Sequence, residues 1–96
     1  MLLVPMDARF FPGVLVITPG ALEAFRRTGE EIQPFLTRHL RGDWGDLDTH
    51  DWTENEYSLR RGFRLLSAYA LSNGTKIWVI TEADRSATTI LLPSEY

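Results

Sequence analysis

An Asn-Gly dipeptide between two apolar segments constrains the fold of this chain more than any other feature. Asn73-Gly74 separates an apolar segment at residues 63–71 from a second one at residues 76–81. Both residue types tolerate the positive φ angles of a two-residue type I′ turn, which joins adjacent antiparallel strands. The sequence therefore predicts a β-hairpin whose turn consists of Asn73 and Gly74.

The register of this predicted hairpin sorts its side chains onto two faces. With Tyr69 opposite Trp78, one face carries Leu66, Ala68 and Val79, which are compact enough for helices to approach closely. The other face is too apolar to be left exposed. We expect either residues 1–11 or a second copy of the chain to cover it. A two-fold homodimer would place its interface at Tyr69, Trp78 and Ile80.

The N-terminal part of the chain predicts a strand followed directly by a helix. Residues 14–17 form a short apolar run rich in β-branched side chains, which is typical of a buried strand. Thr18 is a suitable N-cap, and Pro19 suits the first helical position because its missing N–H costs nothing there. The first helix is expected to end at Gly29.

Two further helices are predicted before the hairpin. One begins near Glu30 or Glu31, where negative charge favours the helix N-terminus, and ends at Gly42. The other begins at Thr53, which has the capping-box spacing to Glu56, and ends at Gly62.

A final strand at residues 87–92 completes the expected order of elements. We expect a single α+β domain over residues 1–96. It consists of an N-terminal strand, three helices and a three-stranded antiparallel β-meander packed against the helices.

Cysteine usage and charge narrow the function classes. The chain has no cysteine, which excludes disulfides and thiolate metal sites and fits a reducing cytoplasm. Neither a secretory leader nor a membrane-spanning run is recognisable, so we expect a cytoplasmic protein. The net charge of −3 has the wrong sign for a generic nucleic-acid binder.

The charges are unevenly distributed along the chain. Residues 43–56 contain six acidic residues and no Lys or Arg, whereas the rest carries 10 basic and 7 acidic residues. The acidic segment lacks the spacing of a calcium-binding loop, so we expect no metal there. Trp44 either folds back onto the core or contacts a partner, together with Asp43 and Asp46.

A second candidate site is the polar loop at residues 81–86. Asp84 and Ser86 are suited to a turn, and Arg85 or Arg64 could simply pair with Glu82. The alternative is a partner-binding or anion-binding rim that also includes Thr88. The candidate residues of that rim are Arg64, Glu82, Asp84, Arg85 and Thr88.

His39 and His50 are the two histidines of the chain and the obvious general bases near neutral pH. His39 lies on the apolar side of the second helix, where a buried, hydrogen-bonded role is more common than metal binding. No standard catalytic motif is present, and we expect no cofactor. The alternative to a binding protein is a metal-independent ribonuclease that uses His39 or His50 as base, Glu82 as acid partner, and Arg64 or Arg85 on the phosphate.

Several segments resemble a group of short bacterial proteins encoded on plasmids and integrative mobile elements. The resemblance runs through most of the chain and is carried by residues 17–21, 38–45, 62–69 and 74–93, the last reading Gly74-Thr75-Lys76-Ile77-Trp78-Val79-Ile80-Thr81 at its start. It implies a role in plasmid maintenance or in countering host defence and supplies no activity. In layout alone, the chain is also similar to the barnase and RelE type of small ribonuclease and toxin. We therefore expect an interaction protein that binds a protein or a nucleic acid.

Overall fold

The computed structural model describes residues 2–96, which form the predicted α+β fold. The elements in chain order are β1 (Val14–Ile17), α1 (Pro19–Thr28), α2 (Gln33–Leu40), α3 (Thr49–Arg61), β2 (Leu65–Ala70), β3 (Lys76–Thr81), β4 (Ala87–Leu91) and a 3₁₀ turn (Pro93–Glu95). The four strands form one sheet in the order β1-β4-β3-β2. β2, β3 and β4 are an antiparallel meander, and β1 joins β4 in parallel, so the sheet is mixed.

The hairpin forms where it was predicted, but its turn is one residue longer. The Leu71 carbonyl accepts a hydrogen bond from Gly74 N–H at 2.9 Å, and Leu71 N–H donates to the Thr75 carbonyl at 2.8 Å. Gly74 has φ +88° while Asn73 keeps a negative φ, so a type I turn ends in a left-handed glycine. The Asn73 side chain accepts from Thr75 N–H at 3.0 Å. The predicted two-residue type I′ turn is therefore wrong.

The longer turn shifts the register by one residue and exchanges the faces of β2. Tyr69 lies opposite Ile77 and points towards the helices, where it is 1% exposed. Leu66 and Ala68, which were predicted to face the helices, lie on the opposite side with Trp78.

The homodimer interface expected at Tyr69, Trp78 and Ile80 is therefore not assembled on one exposed face. Tyr69 is in the core, and Ile80 is only 5% exposed. The ring of Trp78 is contacted by Tyr96, with centroids 5.6 Å apart. The described part of the N-terminal segment lies elsewhere: Leu3 pairs with the Gln33 side chain. Residue 1 lies outside the described residues.

The helix ends follow local signals to different degrees. α1 has the predicted Thr18 N-cap and ends at Gly29 with φ +72°. α2 begins later than expected, at Gln33. α3 begins earlier, because Asp48 caps it by accepting from Asp51 N–H at 2.8 Å. The predicted capping box is wrong, since Thr53 lies inside α3 and its hydroxyl donates to the Thr49 carbonyl.

Two apolar clusters hold the helices against the sheet. One joins Phe25 of α1 and Phe35 of α2 to the inner side chains of β2, β3 and β4. The other joins Phe10, Leu40 and Trp44 to Leu65 at the start of β2. None of the helices within residues 2–96 has the length and apolar character needed to span a membrane.

Candidate functional site

Trp44, predicted as a possible partner contact, belongs to the core. It is fully buried beside Phe10 and His39. Its indole Nε1–H donates to Glu56 Oε2 at 2.8 Å, and Arg9 holds the same carboxylate with two hydrogen bonds of 2.8 and 2.9 Å. Trp44 therefore has no surface to offer a partner, and the fold-back alternative is the correct one.

The acidic residues next to Trp44 also serve the fold. Asp43 accepts from Arg38 at 2.7 Å, and this bond is the main reason that the pKa of Asp43 lies below its usual range. Asp46 donates its backbone N–H to the Ala68 carbonyl at 2.7 Å. Within the described residues, no group of three His, Cys, Asp or Glu side chains is close enough to hold a metal ion.

His39 is the centre of a buried hydrogen-bonded chain. Its Nδ1 lies 2.5 Å from Ser67 Oγ, and its Nε2 lies 2.8 Å from Thr81 Oγ1. Thr81 Oγ1 is 2.7 Å from Thr88 Oγ1, which donates to the Pro12 carbonyl at 2.7 Å. Because a carbonyl can only accept, the direction of every bond follows: Thr81 donates to Thr88, and Nε2 of a neutral His39 donates to Thr81. Ser67 then donates to Nδ1.

Burial, together with a smaller contribution from the nearby charge of Arg85, lowers the pKa of His39 to about 3. The ring is 0% exposed and both nitrogens are bonded, so it cannot take a proton from a substrate at the surface. His50 lies in the first turn of α3, exposed and 4.0 Å from Glu54. Of the two predicted bases, His39 is therefore inside the core and not in a surface cleft.

The loop at residues 82–86 is held together by Arg85. Its guanidinium donates to the carbonyls of Phe63, Glu82 and Ala83 at 2.8, 3.0 and 3.2 Å. Arg85 itself has φ +61°, an unusual value for a residue with a side chain. Asp84 accepts from Ser86 N–H at 3.0 Å, as expected for a turn.

This arrangement differs from both predicted versions of the rim. Arg85 binds main-chain carbonyls instead of the Glu82 carboxylate, so its charge fixes the loop to the segment that precedes β2. Thr88 is fully buried in the His39 chain and is not part of a surface. Of the predicted rim residues, Arg64 is the one whose charged group faces outward beside exposed aromatic rings.

Arg64 forms a stack on the outer face of the sheet. Its guanidinium carbon lies 5.3 Å from the centre of the Tyr96 ring, and it donates to the Tyr96 hydroxyl. Tyr96 in turn packs edge-on against Trp78. Tyr96 remains 67% exposed, so the stack is open to solvent.

A second stack of the same kind lies at the end of α3. The guanidinium of Arg61 lies 5.3 Å from the centre of the Tyr57 ring, and Tyr57 lies 6.1 Å from the ring of Phe63. Tyr57 and Phe63 are 44% and 52% exposed. Phe63 of this stack directly precedes Arg64 of the first stack along the chain.

The charge partners of the arginines divide the molecule. Within residues 2–96, every arginine of the N-terminal half pairs with a carboxylate; these are Arg9, Arg26, Arg27, Arg38 and Arg41. Arg60, Arg61 and Arg64 form no ion pair with any described carboxylate. Glu56, four residues before Arg60, is bound by Arg9 and Trp44, and the charge of Arg60 makes the smallest contribution to its lowered pKa.

We call the surface formed by these residues the basic-aromatic end; it comprises Tyr57, Arg60, Arg61, Phe63, Arg64 and Tyr96. Sequence reasoning identified only Arg64 among them. The missed signal is the run Arg60-Arg61-Gly62-Phe63-Arg64, which places three arginines and an aromatic residue within five positions. No family model, curated protein or solved structure matches this chain.

Proposed function

We propose that this protein is a non-enzymatic binding module that holds a single-stranded nucleic acid at the basic-aromatic end. The observation that carries the proposal is the group Arg60, Arg61 and Arg64, three exposed arginines without carboxylate partners beside exposed aromatic rings. Arg is well suited to phosphate, since its planar guanidinium presents donors in a fixed fork. Exposed rings bind unpaired bases by stacking, at about 1–3 kcal/mol per base.

Single strands fit this surface better than a duplex. Tyr57, Phe63 and Tyr96 offer partly exposed rings, and the bases of a duplex are already stacked on one another. The guanidiniums of Arg61 and Arg64 lie over these rings, so a phosphate and its base would find a charge and an apolar surface side by side.

The uneven charge of the molecule supports one orientation of binding. Acidic residues lie at the start of α3, and Arg60 and Arg61 lie at its end. A helix of this length separates its ends by roughly 20 Å, about two Debye lengths at physiological salt. A polyanion is thus repelled from one pole of the protein and attracted to the other.

The wider role follows from the resemblance to proteins of mobile elements. We propose a cytoplasmic protein of a plasmid or integrative element that acts in plasmid maintenance or counter-defence. The competing proposal is a protein partner at the same surface. A nucleic acid accounts more directly for three arginines that have no ion-pair partner, because its phosphates supply the missing negative charges.

Fluorescence anisotropy with a labelled single-stranded oligonucleotide tests the proposal. The variant Arg60→Gln/Arg61→Gln removes two unpaired arginines, and Arg26→Gln/Arg27→Gln removes two paired ones for the same change in net charge. We expect the first to weaken binding about tenfold or more at low salt and the second to change it less than about twofold.

Wild-type protein that shows no salt-dependent binding to RNA or DNA single strands would contradict the proposal. Equal losses in the two double variants would contradict the assigned surface. Electrophoresis of the RNA after incubation distinguishes binding from cleavage, since a ribonuclease would shorten it.

A further inference from the structure

The two edges of the sheet differ in how their backbone groups are satisfied. At the β2 edge, Asn55 pairs with Leu66, accepting from its N–H at 3.2 Å and donating to its carbonyl. Ala68 N–H donates to the Trp44 carbonyl at 3.1 Å, and the Ala68 carbonyl accepts from Asp46 N–H at 2.7 Å. This edge is covered by α3 and the loop that precedes it.

The β1 edge has no such cover. Val14 N–H donates to the Ser86 carbonyl at 2.9 Å and Thr18 N–H donates to the Ile90 carbonyl at 3.0 Å, so even-numbered residues of this strand face β4. The backbone groups of Leu15 and Ile17 therefore point away from the sheet. Within residues 2–96, no hydrogen bond reaches them.

The chemistry of β1 leaves this edge ready to pair. Natural edge strands are commonly protected by a charge, a proline, a bulge or a covering segment. Here residues 10–22 contain no charged side chain, and Val14 and Val16 are 68% and 44% exposed. An uncovered, uncharged strand of this kind is a pairing surface.

We propose that β1 pairs antiparallel with β1 of a second copy, with the two-fold axis at Val16. In that register Leu15 faces Ile17 of the second copy and Ile17 faces its Leu15. Each pair exchanges two N–H···O bonds, so four new hydrogen bonds satisfy all the outward groups. Pro19, which has no N–H, limits the pairing to this short segment.

A second copy of the chain is the partner that best fits the β1 edge, because of the spacing of its outward backbone groups and because the β2 edge is covered. The strand is its own complement, because the donors and acceptors of Leu15 and Ile17 map onto each other under a two-fold rotation. The opposite edge is closed at Leu66 and Ala68, so pairing stops at two copies instead of continuing into a filament. The product is an eight-stranded sheet in the order β2-β3-β4-β1-β1-β4-β3-β2.

This dimer differs from the one expected from sequence and is independent of the proposed function. Its interface is the β1 edge, whereas the sequence pointed to a sheet face with Tyr69, Trp78 and Ile80. The basic-aromatic end lies away from this interface, because α3 packs against β2 and Tyr96 packs on Trp78 of β3.

A single cysteine tests the register, because the chain has no cysteine of its own. Val16 would face Val16 of the second copy in a non-hydrogen-bonded pair, where Cα atoms are about 4.5 Å apart and a disulfide fits. We expect Val16→Cys to form a disulfide-linked dimer under mild oxidation. Ala70→Cys, an exposed position on the covered edge, is the matched control and is expected to stay largely monomeric.

Sedimentation of the wild type and of Val16→Lys at micromolar concentration tests the assembly itself. Two lysines facing each other across the axis are expected to weaken the dimer at least about tenfold, while circular dichroism stays unchanged because the side chain is exposed. Ala70→Lys is expected to leave the dimer intact. A monomeric wild type, a Val16→Lys protein as dimeric as the wild type, or equal cross-linking of the two cysteine variants would each overturn the proposal.

Discussion

The C-terminal ends of α1 and α3 have similar local structures, but the arginines of α1 form ion pairs and those of α3 do not. Each helix ends in two arginines followed by a left-handed glycine, Arg26-Arg27 before Thr28-Gly29 in α1 and Arg60-Arg61 before Gly62 in α3. In α1 both arginines pair with Glu23, which lies four residues before Arg27.

In α3 the position four residues before the second arginine is occupied by Tyr57. Arg61 lies over that ring, and neither arginine has an ion-pair partner in the described chain. Two arginines in the last turn interact favourably with the helix dipole in both helices, so the dipole does not explain why their ion pairs differ. One substitution at this position therefore separates arginines that are neutralised within the protein from arginines that are available to a ligand.

The largest effect is expected in the interior, where every buried side-chain nitrogen and oxygen of residues 2–96 has a hydrogen-bond partner. Burial lowers the pKa of His39 to about 3 in the folded protein, against an ordinary value of 6.5. As the pH falls through 6.5, His39 of the unfolded chain binds a proton, whereas His39 of the folded chain stays neutral. The free energy of unfolding therefore decreases with falling pH. Between pH 6.5 and 4.5 the loss is roughly 2 kcal/mol.

Denaturant unfolding at these two pH values measures the loss. His39→Gln removes the group that titrates, so its stability should depend much less on pH in this window, although it is less stable overall. Glu56 and Glu95 titrate at lower pH, because hydrogen bonds hold their pKa values below the ordinary 4.5. An unchanged pH slope in His39→Gln would contradict the assignment of a buried, neutral histidine.

A comparable or smaller loss of stability is expected when Glu56, the carboxylate that Arg9 and Trp44 share, is removed. Glu56→Ala leaves the buried Trp44 Nε1–H without an acceptor and frees Arg9. Arg9 and Glu56 are partly exposed, so most of the cost is the orphaned indole N–H, about 1–3 kcal/mol. Glu54→Ala, on the exposed side of the same helix, is the control and should change stability by less than about 0.5 kcal/mol.

Chemical denaturation measures both variants. Nucleic-acid affinity per folded molecule should not fall in Glu56→Ala, since Glu56 and Arg9 are not part of the basic-aromatic end and the variant removes a negative charge that attracts Arg60. If Glu56→Ala kept its stability but lost nucleic-acid binding, Glu56 would belong to the binding surface and not to the structural framework.

Local signals in the sequence were sufficient for α1 and insufficient for the hairpin register. Thr18 and Pro19 act within their own helix turn, so their effect does not depend on the rest of the fold. Asn73-Gly74 is compatible with a two-residue or a three-residue loop, and the choice inverts β2. Tertiary contacts favour the longer loop, because it buries Tyr69 against Phe35 and lets its hydroxyl donate to the Asp43 carbonyl.

The candidate site was harder to predict for a related reason. Sequence showed the arginines but not which of them have carboxylate partners. Arg9 meets Glu56 across 47 positions and Arg41 meets Asp7 across 34. Likewise, the acceptor of Trp44 Nε1–H is Glu56 of α3, a helix that packs against β2. Whether an arginine is free is a property of the whole fold.

Exchanging the residue at the decisive position of α3 tests the comparison directly. Tyr57→Glu supplies α3 with the partner that Glu23 supplies to α1, and it also removes a stacking ring. We expect nucleic-acid affinity to fall about tenfold and the salt dependence to flatten, since fewer phosphates are neutralised. Tyr57→Gln removes the ring without adding charge and should lose less affinity.

Anisotropy titrations at several salt concentrations distinguish these variants. Equal losses in Tyr57→Glu and Tyr57→Gln would assign the whole effect to the ring and none to the arginines. No loss in either would remove the end of α3 from the site.

The smallest effect is the stability difference between the two matched arginine pairs. Arg26→Gln/Arg27→Gln breaks two exposed ion pairs with Glu23, which are worth at most about 0.5 kcal/mol together after solvent screening. Arg60→Gln/Arg61→Gln breaks no ion pair, but it loses the contact of Arg61 with the Tyr57 ring and the weak attraction between Arg60 and Glu56, besides the share of the helix dipole that both variants lose. Denaturation should therefore find both variants within about 1 kcal/mol of the wild type, and added salt should reduce the loss in the α1 variant, whose ion pairs it screens. If the α3 variant were destabilised by clearly more than about 1 kcal/mol, its arginines would be serving the fold, and their availability to a ligand would lose its physical basis.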